Sequence, residues 1–279
     1  MLNKIVLTGA AGALGHALRE QMSKMAKELV STDIGEAQSD LLPNETWVTA
    51  DLGDFDPILK MMEGASMVVH FGAIANESDF DSILHSNFRG TYNIWEAARR
   101  HGVQRVVYAS SIHAVGMYPK NQHIGVDTPH RPDTFYGLAK CFGENLGRMM
   151  WEKNGIEAVC LRILSAAPVR STRALGTWLS MPDLVHLVTR AIDTPTTEFT
   201  IIYGVSNNDR CPVDNSGAAF LGYRPQDNAE QFAEEIFAQA APADPSDPAQ
   251  TRHAGPFATI PFGQGVDLSN MSGSQKSDD

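Results

Sequence analysis

The chain has 279 residues, of which 43% are hydrophobic, and a formal net charge of −11. This length is enough for one large domain with a sizeable core. The negative charge argues against nucleic acid and anionic membrane surfaces as partners, because like charges repel. No apolar stretch approaches the roughly 20 residues that span a bilayer.

The cysteines and the start of the chain bear on its location. Cys141, Cys160 and Cys211 form no CxxC pair and are odd in number, which favours free thiols in a reducing compartment. Met1 leads almost directly into an apolar run at residues 5–7, so no signal peptide is recognised. We therefore expect a cytoplasmic protein.

Short apolar runs alternate with helical periodicity over roughly the first 160 residues. Helices are predicted over about 14–25, 79–100 and 136–153. Because the strands are apolar and alternate with helices, the pattern predicts an α/β fold with a doubly wound parallel sheet. The predicted strands are residues 4–8, 29–32, 47–50, 67–71, 105–110 and 157–162.

Residues 166–240 are less regular, with a helix predicted at 183–192, a strand at 199–203 and a helix at 228–238. We expect this part to be a small C-terminal addition to the same domain, residues 1–165 forming its core. From residue 241 the chain is rich in Ala, Pro and Asp, and residues 269–279 are polar and rich in Ser. Residues 241–279 are therefore predicted to be an extended or partly disordered tail.

A glycine-rich loop, GAAGALG at residues 9–15, follows the first predicted strand. Gly9 permits a tight turn, Gly12 lets a phosphate approach the backbone, and Gly15 lets the following helix pack closely on the strand. Between an apolar strand and an amphipathic helix, this spacing is typical of the dinucleotide pyrophosphate site of a Rossmann fold. Ala11, Ala13 and Leu14 are expected to line the same site.

Asp33 ends the second predicted strand, 18 positions after Gly15. A carboxylate at this place accepts hydrogen bonds from the ribose hydroxyls of a dinucleotide and repels a 2′-phosphate. The sequence therefore predicts NAD rather than NADP as the cofactor.

Two further strand ends are expected to contact the cofactor. Asp51 and Leu52 follow the third strand, where a carboxylate and a backbone amide can meet the adenine. Gly72 and Ala73 follow the fourth strand, and their small size lets the backbone lie along the cofactor. His70, within the fourth strand, is interpreted as a core histidine and not as a base.

Tyr136 and Lys140 are spaced i, i+4 and so share one face of a predicted helix. A free phenol titrates near about 10, but an adjacent ammonium and an oxidised nicotinamide stabilise the phenolate. Tyr136 can then accept the proton of a substrate hydroxyl while hydride leaves its carbon. We expect Lys140 also to hold the nicotinamide ribose, and Ser111, at the end of the fifth strand, to orient the reacting oxygen.

Together with the glycine-rich loop and the serine pair at 110–111, the segment YGLAK at 136–140 resembles the extended, epimerase-like short-chain dehydrogenases/reductases. The likeness covers residues 1 to about 240. In that family an asparagine on the helix before the fifth strand supports a proton-relay water. Asn87 matches that position, so the resemblance implies this role for it.

Four segments also resemble bacterial uronate dehydrogenases: SSIH at 110–113, YGLAKCFGEN at 136–145, TWLS at 177–180 and LGYRPQDNAE at 221–230. Those enzymes oxidise the anomeric carbon of glucuronate or galacturonate with NAD and give an aldarolactone. The resemblance implies that Arg173 pairs with the sugar carboxylate and that Ser165 and His113 bind sugar hydroxyls. It also implies a homo-oligomer.

The chain departs from this family at two positions: Ile112 replaces an asparagine, and Ala75 replaces a serine. A buried hydroxyl left without a partner costs about 1–3 kcal/mol. Either the substrate has fewer or differently placed hydroxyls, or Asn76 and water compensate. Arg170 is a second cation near Arg173, which leaves a doubly acidic or sulfonated sugar open. The expected substrate pocket consists of Ala75, Asn76, Ser111, Ile112, His113, Tyr136, Ser165 and Arg173.

Four other functions are compared with this one: a nucleotide-sugar 4-epimerase, a dehydratase, a dehydrogenase for another aldose and a non-enzymatic sensor of NAD. A nucleotide-sugar 4-epimerase uses the same serine, tyrosine and lysine, although the segment after Ser165 is short for a nucleotide diphosphate. A dehydratase needs an acidic pair where this chain has Ile112 and His113, and a dehydrogenase for another aldose shares every catalytic residue. A non-enzymatic sensor of NAD typically lacks the tyrosine. No metal site is predicted.

Overall fold

The computed structural model describes residues 1–37 and 39–265. Its centre is a seven-stranded sheet in the order β3-β2-β1-β4-β5-β6-β7, in which every neighbouring pair is parallel. The predicted α/β fold with a doubly wound sheet is confirmed. The strands are β1 (Leu2–Thr8), β2 (Ala26–Asp33), β3 (Glu45–Thr49), β4 (Met67–His70), β5 (Arg105–Ser111), β6 (Glu157–Ile163) and β7 (Phe199–Gly204).

Helices cover both faces of this sheet, because alternate side chains of each strand point to opposite faces. Ile5 and Leu7 of β1 enter one apolar cluster, and Val6 enters the other. The helices are α1 (Ala13–Met25), α2 (Phe55–Met61), α3 (Phe80–Ile83), α4 (Gly90–His101), α5 (Phe135–Asn154), α6 (Ala174–Thr177), α7 (Met181–Asp193), α8 (Ala233–Gln239) and α9 (Pro248–Thr251). The first cluster includes Leu18, Met22, Leu184 and Leu187, and the second includes Ile94, Trp95, Leu146 and Met150.

The strand order reverses between β1 and β4, which creates a crevice at their carboxyl ends. In open parallel sheets this switch point is where ligands bind. The loop after β1, the loop after β4, the end of β5 and the start of α5 converge there. The fold therefore brings the glycine-rich loop and the segment YGLAK to the same edge of the sheet.

The observed strands overlap each predicted strand. The helix predicted at 79–100 is interrupted, since a π-helical turn at Leu84–Arg89 separates α3 from α4. The helix predicted at 228–238 begins as a 3₁₀ turn at Ala229–Phe232 and continues as α8. Apolar periodicity does not reveal such local changes of hydrogen-bond spacing.

The predicted tail differs from the structure over part of its length. Residues 248–258 form α9 and a 3₁₀ turn, Gly255–Ala258. Ala254 and Phe257 are buried in an apolar cluster with Tyr136. The composition of the predicted tail, which is rich in Ala, Pro and Asp, gives no sign of these two buried side chains. Residues 269–279 lie outside the described residues.

Candidate active site

The glycine-rich loop is packed tightly at both ends. Gly9 has φ 73°, in the left-handed region, and a Cβ there would lie 2.6 Å from the backbone nitrogen of Gly72. A Cβ at Gly15 would collide with the carbonyl oxygen of Gly9. At Gly12, however, a Cβ would meet only that carbonyl, at 3.4 Å. The space beside Gly12 thus fits the close approach of a ligand phosphate.

Helix α1 begins immediately after this loop. Gly12 is its N-cap and supplies no side-chain cap, so the first-turn N–H groups have no intrahelical or side-chain acceptor. Such a helix start binds phosphate through N–H groups and the helix dipole. The loop and α1, including Ala13 and Leu14, therefore fit the pyrophosphate of a dinucleotide.

Asp33 connects the end of β2 to the glycine-rich loop. Its Oδ2 accepts the backbone N–H of Ala11 at 3.0 Å, and its Oδ1 accepts that of Ile34 at 2.8 Å. The carboxylate therefore stands beside the loop, where the ribose hydroxyls of a dinucleotide would donate to the same oxygens.

The loops that follow β3 and β4 meet, although β2 and β1 separate these two strands in the sheet. Asp51 Oδ1 accepts the N–H of Gly53 at 2.8 Å and lies 3.1 Å from His85 Nε2. Leu52 is buried, and a Cβ at Gly72 would come within 2.8 Å of its side chain. The structure thus brings Leu52 and Gly72 together, with Ala73 half-buried in the next position.

His70 is a core residue, as interpreted from the sequence. Its side chain is buried, and Nδ1 lies 2.7 Å from the hydroxyl oxygen of Thr8. Burial and the nearby charge of Lys140 lower the pKa of His70 to about 3. The imidazole is therefore neutral at physiological pH.

Helix α5 places Tyr136 and Lys140 at the carboxyl end of β5. Thr134 caps the helix by accepting the N–H of Gly137 at 3.0 Å. Lys140 Nζ donates to the carbonyl oxygen of Ala109 at 2.6 Å and lies 5.3 Å from the centroid of the Tyr136 ring. Burial lowers the pKa of Lys140 to about 8.

Tyr136 and Ser111 meet in the interior of the crevice. Tyr136 is 9% exposed and Ser111 is 5% exposed. Burial raises the pKa of Tyr136 to about 12, although its hydrogen bond with Ser111 acts in the opposite direction. The phenol is therefore protonated at neutral pH, and an additional positive charge is needed to release its proton.

Asn87 lies in the π-helical turn and is buried. Its Oδ1 accepts the N–H of Ile74 at 2.9 Å, and its Nδ2 donates to the carbonyl oxygen of the same residue at 2.9 Å. Both ends of its amide therefore fix the loop after β4. A part in proton relay stays a prediction.

Arg173, at the start of α6, is held against the C-terminal segment. Its Nη2 donates to the carbonyl oxygen of His253 at 2.8 Å. Burial lowers the pKa of Arg173 to about 10, and nearby Asp133 acts in the opposite direction. Within residues 1–37 and 39–265 no carboxylate lies in ion-pair distance of Arg173. The guanidinium can therefore accept an external anion.

Two residues after β5 have different surroundings. The side chain of Ile112 is 1% exposed and packs in an apolar cluster with Val115 and Leu164, so only its backbone is available to a polar ligand. His113 Nδ1 lies 2.7 Å from Asp133 Oδ2, and its ring contacts Phe257 at a centroid distance of 4.0 Å.

The remaining predicted pocket residues lie on two loops. Ala75 is exposed and Asn76 half-buried after β4. Ser165 is half-buried after β6, and its carbonyl oxygen accepts the N–H of Leu179 at 2.7 Å. Their contact with a substrate stays a prediction.

The residues of the site that were not predicted include Glu77, Asp133 and Phe257. Glu77 is buried, and its two carboxylate oxygens accept the backbone N–H groups of Tyr136 at 3.0 Å and Gly263 at 3.1 Å. None of the three belongs to a motif. Only Asp133 could have been found from the sequence, because it directly precedes Thr134, the N-cap of the catalytic helix.

No helix in the described part of the chain is long and apolar enough to cross a membrane. Comparison with known proteins shows extensive similarity to enzymes of one kind. The chain is 42% identical to a uronate dehydrogenase of Pseudomonas putida over 262 residues, which covers 93% of this chain and 97% of that protein.

Two solved structures show the same likeness. A mutant uronate dehydrogenase from Agrobacterium tumefaciens complexed with NAD superimposes with a TM-score of 0.89 at 40% identity, covering 95% of this chain and all of that one. A glucuronic acid dehydrogenase from Chromohalobacter salexigens has a TM-score of 0.90 at 38% identity, with 94% and 98% covered. Residues 5–175 also match the family model for the NAD dependent epimerase/dehydratase family. The chain therefore belongs to this family, as the sequence resemblance predicted.

Proposed function

We propose that the protein is a uronate dehydrogenase, which oxidises the anomeric carbon of a hexuronate such as glucuronate or galacturonate with NAD and yields the aldarolactone. One observation carries the proposal: the buried triad Ser111, Tyr136 and Lys140 shares its crevice with Arg173, which forms no ion pair with a carboxylate of the described residues. The similarity to proteins named uronate dehydrogenase and glucuronic acid dehydrogenase supports it.

NAD is the cofactor that fits the crevice. When bound, its oxidised nicotinamide supplies a hydride acceptor and a positive charge. We propose that the pyrophosphate lies on the glycine-rich loop, that Asp33 accepts the ribose hydroxyls, and that the loops after β3 and β4 line the remainder. The residues assigned to this site are Gly9, Ala11, Gly12, Ala13, Leu14, Gly15, Asp33, Asp51, Leu52, Gly72, Ala73, Tyr136 and Lys140.

The phenol oxygen of Tyr136 accepts the proton of the anomeric hydroxyl as hydride leaves the carbon. Burial opposes the phenolate, so the charge of Lys140 must offset this effect, and it acts across a short distance in an interior with little screening. The hydroxyl of Ser111 orients the reacting oxygen. Asn87 fixes the adjacent loop and, in this proposal, supports the water that returns the proton to solvent.

In this proposal Arg173 binds the sugar carboxylate. A guanidinium fork matches a planar carboxylate with two parallel hydrogen bonds, and the partial burial of Arg173 strengthens the attraction. Ala75 and the core-packed Ile112 supply no side-chain hydrogen bond, so Asn76, His113, Ser165 and water must satisfy the sugar hydroxyls.

The proposal is tested by incubating the purified protein with NAD or NADP and a panel of uronates, neutral aldoses and sulfo-sugars, while NADH absorbance is followed. We expect NADH from a uronate with NAD and much less from neutral aldoses. Absence of NADH with every sugar acid would contradict the proposal. Tightly retained NAD together with turnover of a UDP-sugar would favour the 4-epimerase instead.

The location and assembly are also proposals. Three cysteines without a disulfide and the acidic charge support a cytoplasmic protein, and the family resemblance supports a homo-oligomer. Light scattering coupled to size-exclusion chromatography measures the assembly directly, and a monomeric mass would contradict the second proposal.

A further inference from the structure

A carboxylate with no part in the mechanism above is enclosed beside the catalytic helix. The side chain of Asp133 is 0% exposed. Its Oδ1 accepts the hydroxyl of Thr134 at 2.8 Å, and its Oδ2 lies 2.7 Å from Nδ1 of His113. Two glycines leave room for it, since a Cβ at Gly116 would collide with Oδ2 and one at Gly137 would lie 3.0 Å from Oδ1. The fold thus holds Asp133 firmly against the imidazole.

This contact fixes the tautomer of His113. A carboxylate only accepts hydrogen bonds, so the ring proton lies on Nδ1, and in a neutral imidazole Nε2 is then an acceptor. Among residues 1–37 and 39–265, no hydrogen bond involves Nε2 of His113. Phe257 covers the ring at 4.0 Å, and the ring of Tyr136 lies edge-on at 5.6 Å. An acceptor is therefore presented next to the catalytic phenol.

The sugar offers one hydroxyl at this place. An anomeric carbon is bonded to the ring oxygen and to one other ring carbon, and only that carbon carries a neighbouring hydroxyl. We propose that Asp133 is a positioning residue, which orients His113 so that Nε2 accepts this 2-hydroxyl and selects substrates that carry it. This inference rests on the proposed oxidation of a uronate.

The first test is independent of activity. In the variant Asp133→Asn, the Thr134 hydroxyl continues to donate to the amide oxygen, so the amide nitrogen faces His113 and donates to Nδ1. We expect ¹⁵N NMR of labelled histidine to show Nδ1 protonated in the native protein and Nε2 protonated in the variant, with His113→Gln used to assign the signal. Protonation of Nε2 in the native protein would overturn the proposal.

The second test compares a uronate with its 2-deoxy analogue. Asp133→Asn should lower kcat/KM for the uronate by at least about tenfold, because an acceptor in a buried site becomes a donor. For the 2-deoxy analogue, kcat/KM should change by less than about threefold. Equal losses on both substrates would show a merely structural role and overturn the proposal.

A matched control is available in Asp183, a buried carboxylate outside the site that accepts the Ser206 hydroxyl at 2.6 Å. Asp183→Asn should affect both substrates equally, which separates loss of folded protein from loss of hydroxyl recognition. If the native protein oxidised neither substrate, the proposed function would fail and the hydroxyl contact with it. The NMR experiment would still decide whether Asp133 sets the tautomer.

Discussion

The carboxylate of Glu77 accepts the backbone N–H of Tyr136 at 3.0 Å, and its second oxygen accepts that of Gly263 at 3.1 Å. One buried side chain therefore joins the loop after β4, the first turn of the catalytic helix and the C-terminal segment. This connection fixes the backbone that carries the catalytic phenol.

Replacing Glu77 should weaken substrate binding more than cofactor binding. In Glu77→Gln the side-chain N–H₂ group replaces one carboxylate oxygen and faces a backbone N–H, so two donors meet. One of the two hydrogen bonds, to Tyr136 or to Gly263, is therefore lost. We expect the KM for the uronate to rise by at least about threefold, with the NAD dissociation constant unchanged. Steady-state kinetics and fluorescence titration measure these quantities. Glu152→Gln, at an exposed position of α5, is the control and should change neither.

Tyr136→Phe should abolish most turnover and spare cofactor binding, because it removes only the proton acceptor. We expect kcat to fall by at least about 10²-fold, while NAD titration gives nearly the native dissociation constant. Turnover comparable to the native protein would refute the assignment of Tyr136 as the base.

Arg173→Ala should raise the KM for a uronate by at least about tenfold, since a charged hydrogen bond contributes about 1.5–3 kcal/mol. The KM for a neutral aldose should remain close to the native value. Arg148→Ala, which removes an exposed arginine on α5 paired with Glu152 at 3.7 Å, serves as the control. Equal changes for acidic and neutral sugars would remove the carboxylate role.

Asp33 should determine the preference between NAD and NADP through its charge. In Asp33→Asn the geometry beside Ala11 is largely kept and the charge is removed, so repulsion of a 2′-phosphate disappears. We expect the ratio of kcat/KM for NAD to that for NADP to fall by at least about tenfold. An unchanged ratio in this variant would indicate that Asp33 serves the loop alone.

His70 should make the fold sensitive to acid. Its pKa is lowered from an ordinary 6.5 to about 3 by burial, so between these values the unfolded chain binds a proton that the folded chain does not. Stability therefore falls as the pH decreases from about 6.5 toward 3. In His70→Gln, Tm should decrease less steeply between pH 6.5 and 4 than in the native protein, as measured by scanning calorimetry. An identical slope would contradict this contribution.

Much of the fold can be predicted from the local pattern of apolar and polar residues. Apolar strands separated by amphipathic helices predict the parallel sheet, and the predictions of fold class, family and NAD are confirmed. Two parts of the site are also predictable from sequence spacing, because a turn and a helix face are short-range features. They are the glycine-rich loop at residues 9–15 and the i, i+4 pair Tyr136 and Lys140.

Other parts of the site depend on contacts that no local pattern contains. Ile112 matches a position where relatives were expected to hydrogen-bond the substrate, yet its side chain packs into the core, and side-chain direction in an irregular turn is not set by periodicity. Phe257 lies in a segment of tail-like composition and reaches His113 from 144 positions away in sequence. Asp133 contacts His113, and Glu77 accepts the N–H of Tyr136. Each contact joins residues that are distant in sequence and that the folded sheet brings together.

Because Phe257 and the carbonyl of His253 form part of the pocket wall, a segment that follows every strand of the sheet in the chain completes the site. A product that stops before residue 248 would retain every strand of the sheet and the glycine-rich loop but lack this wall.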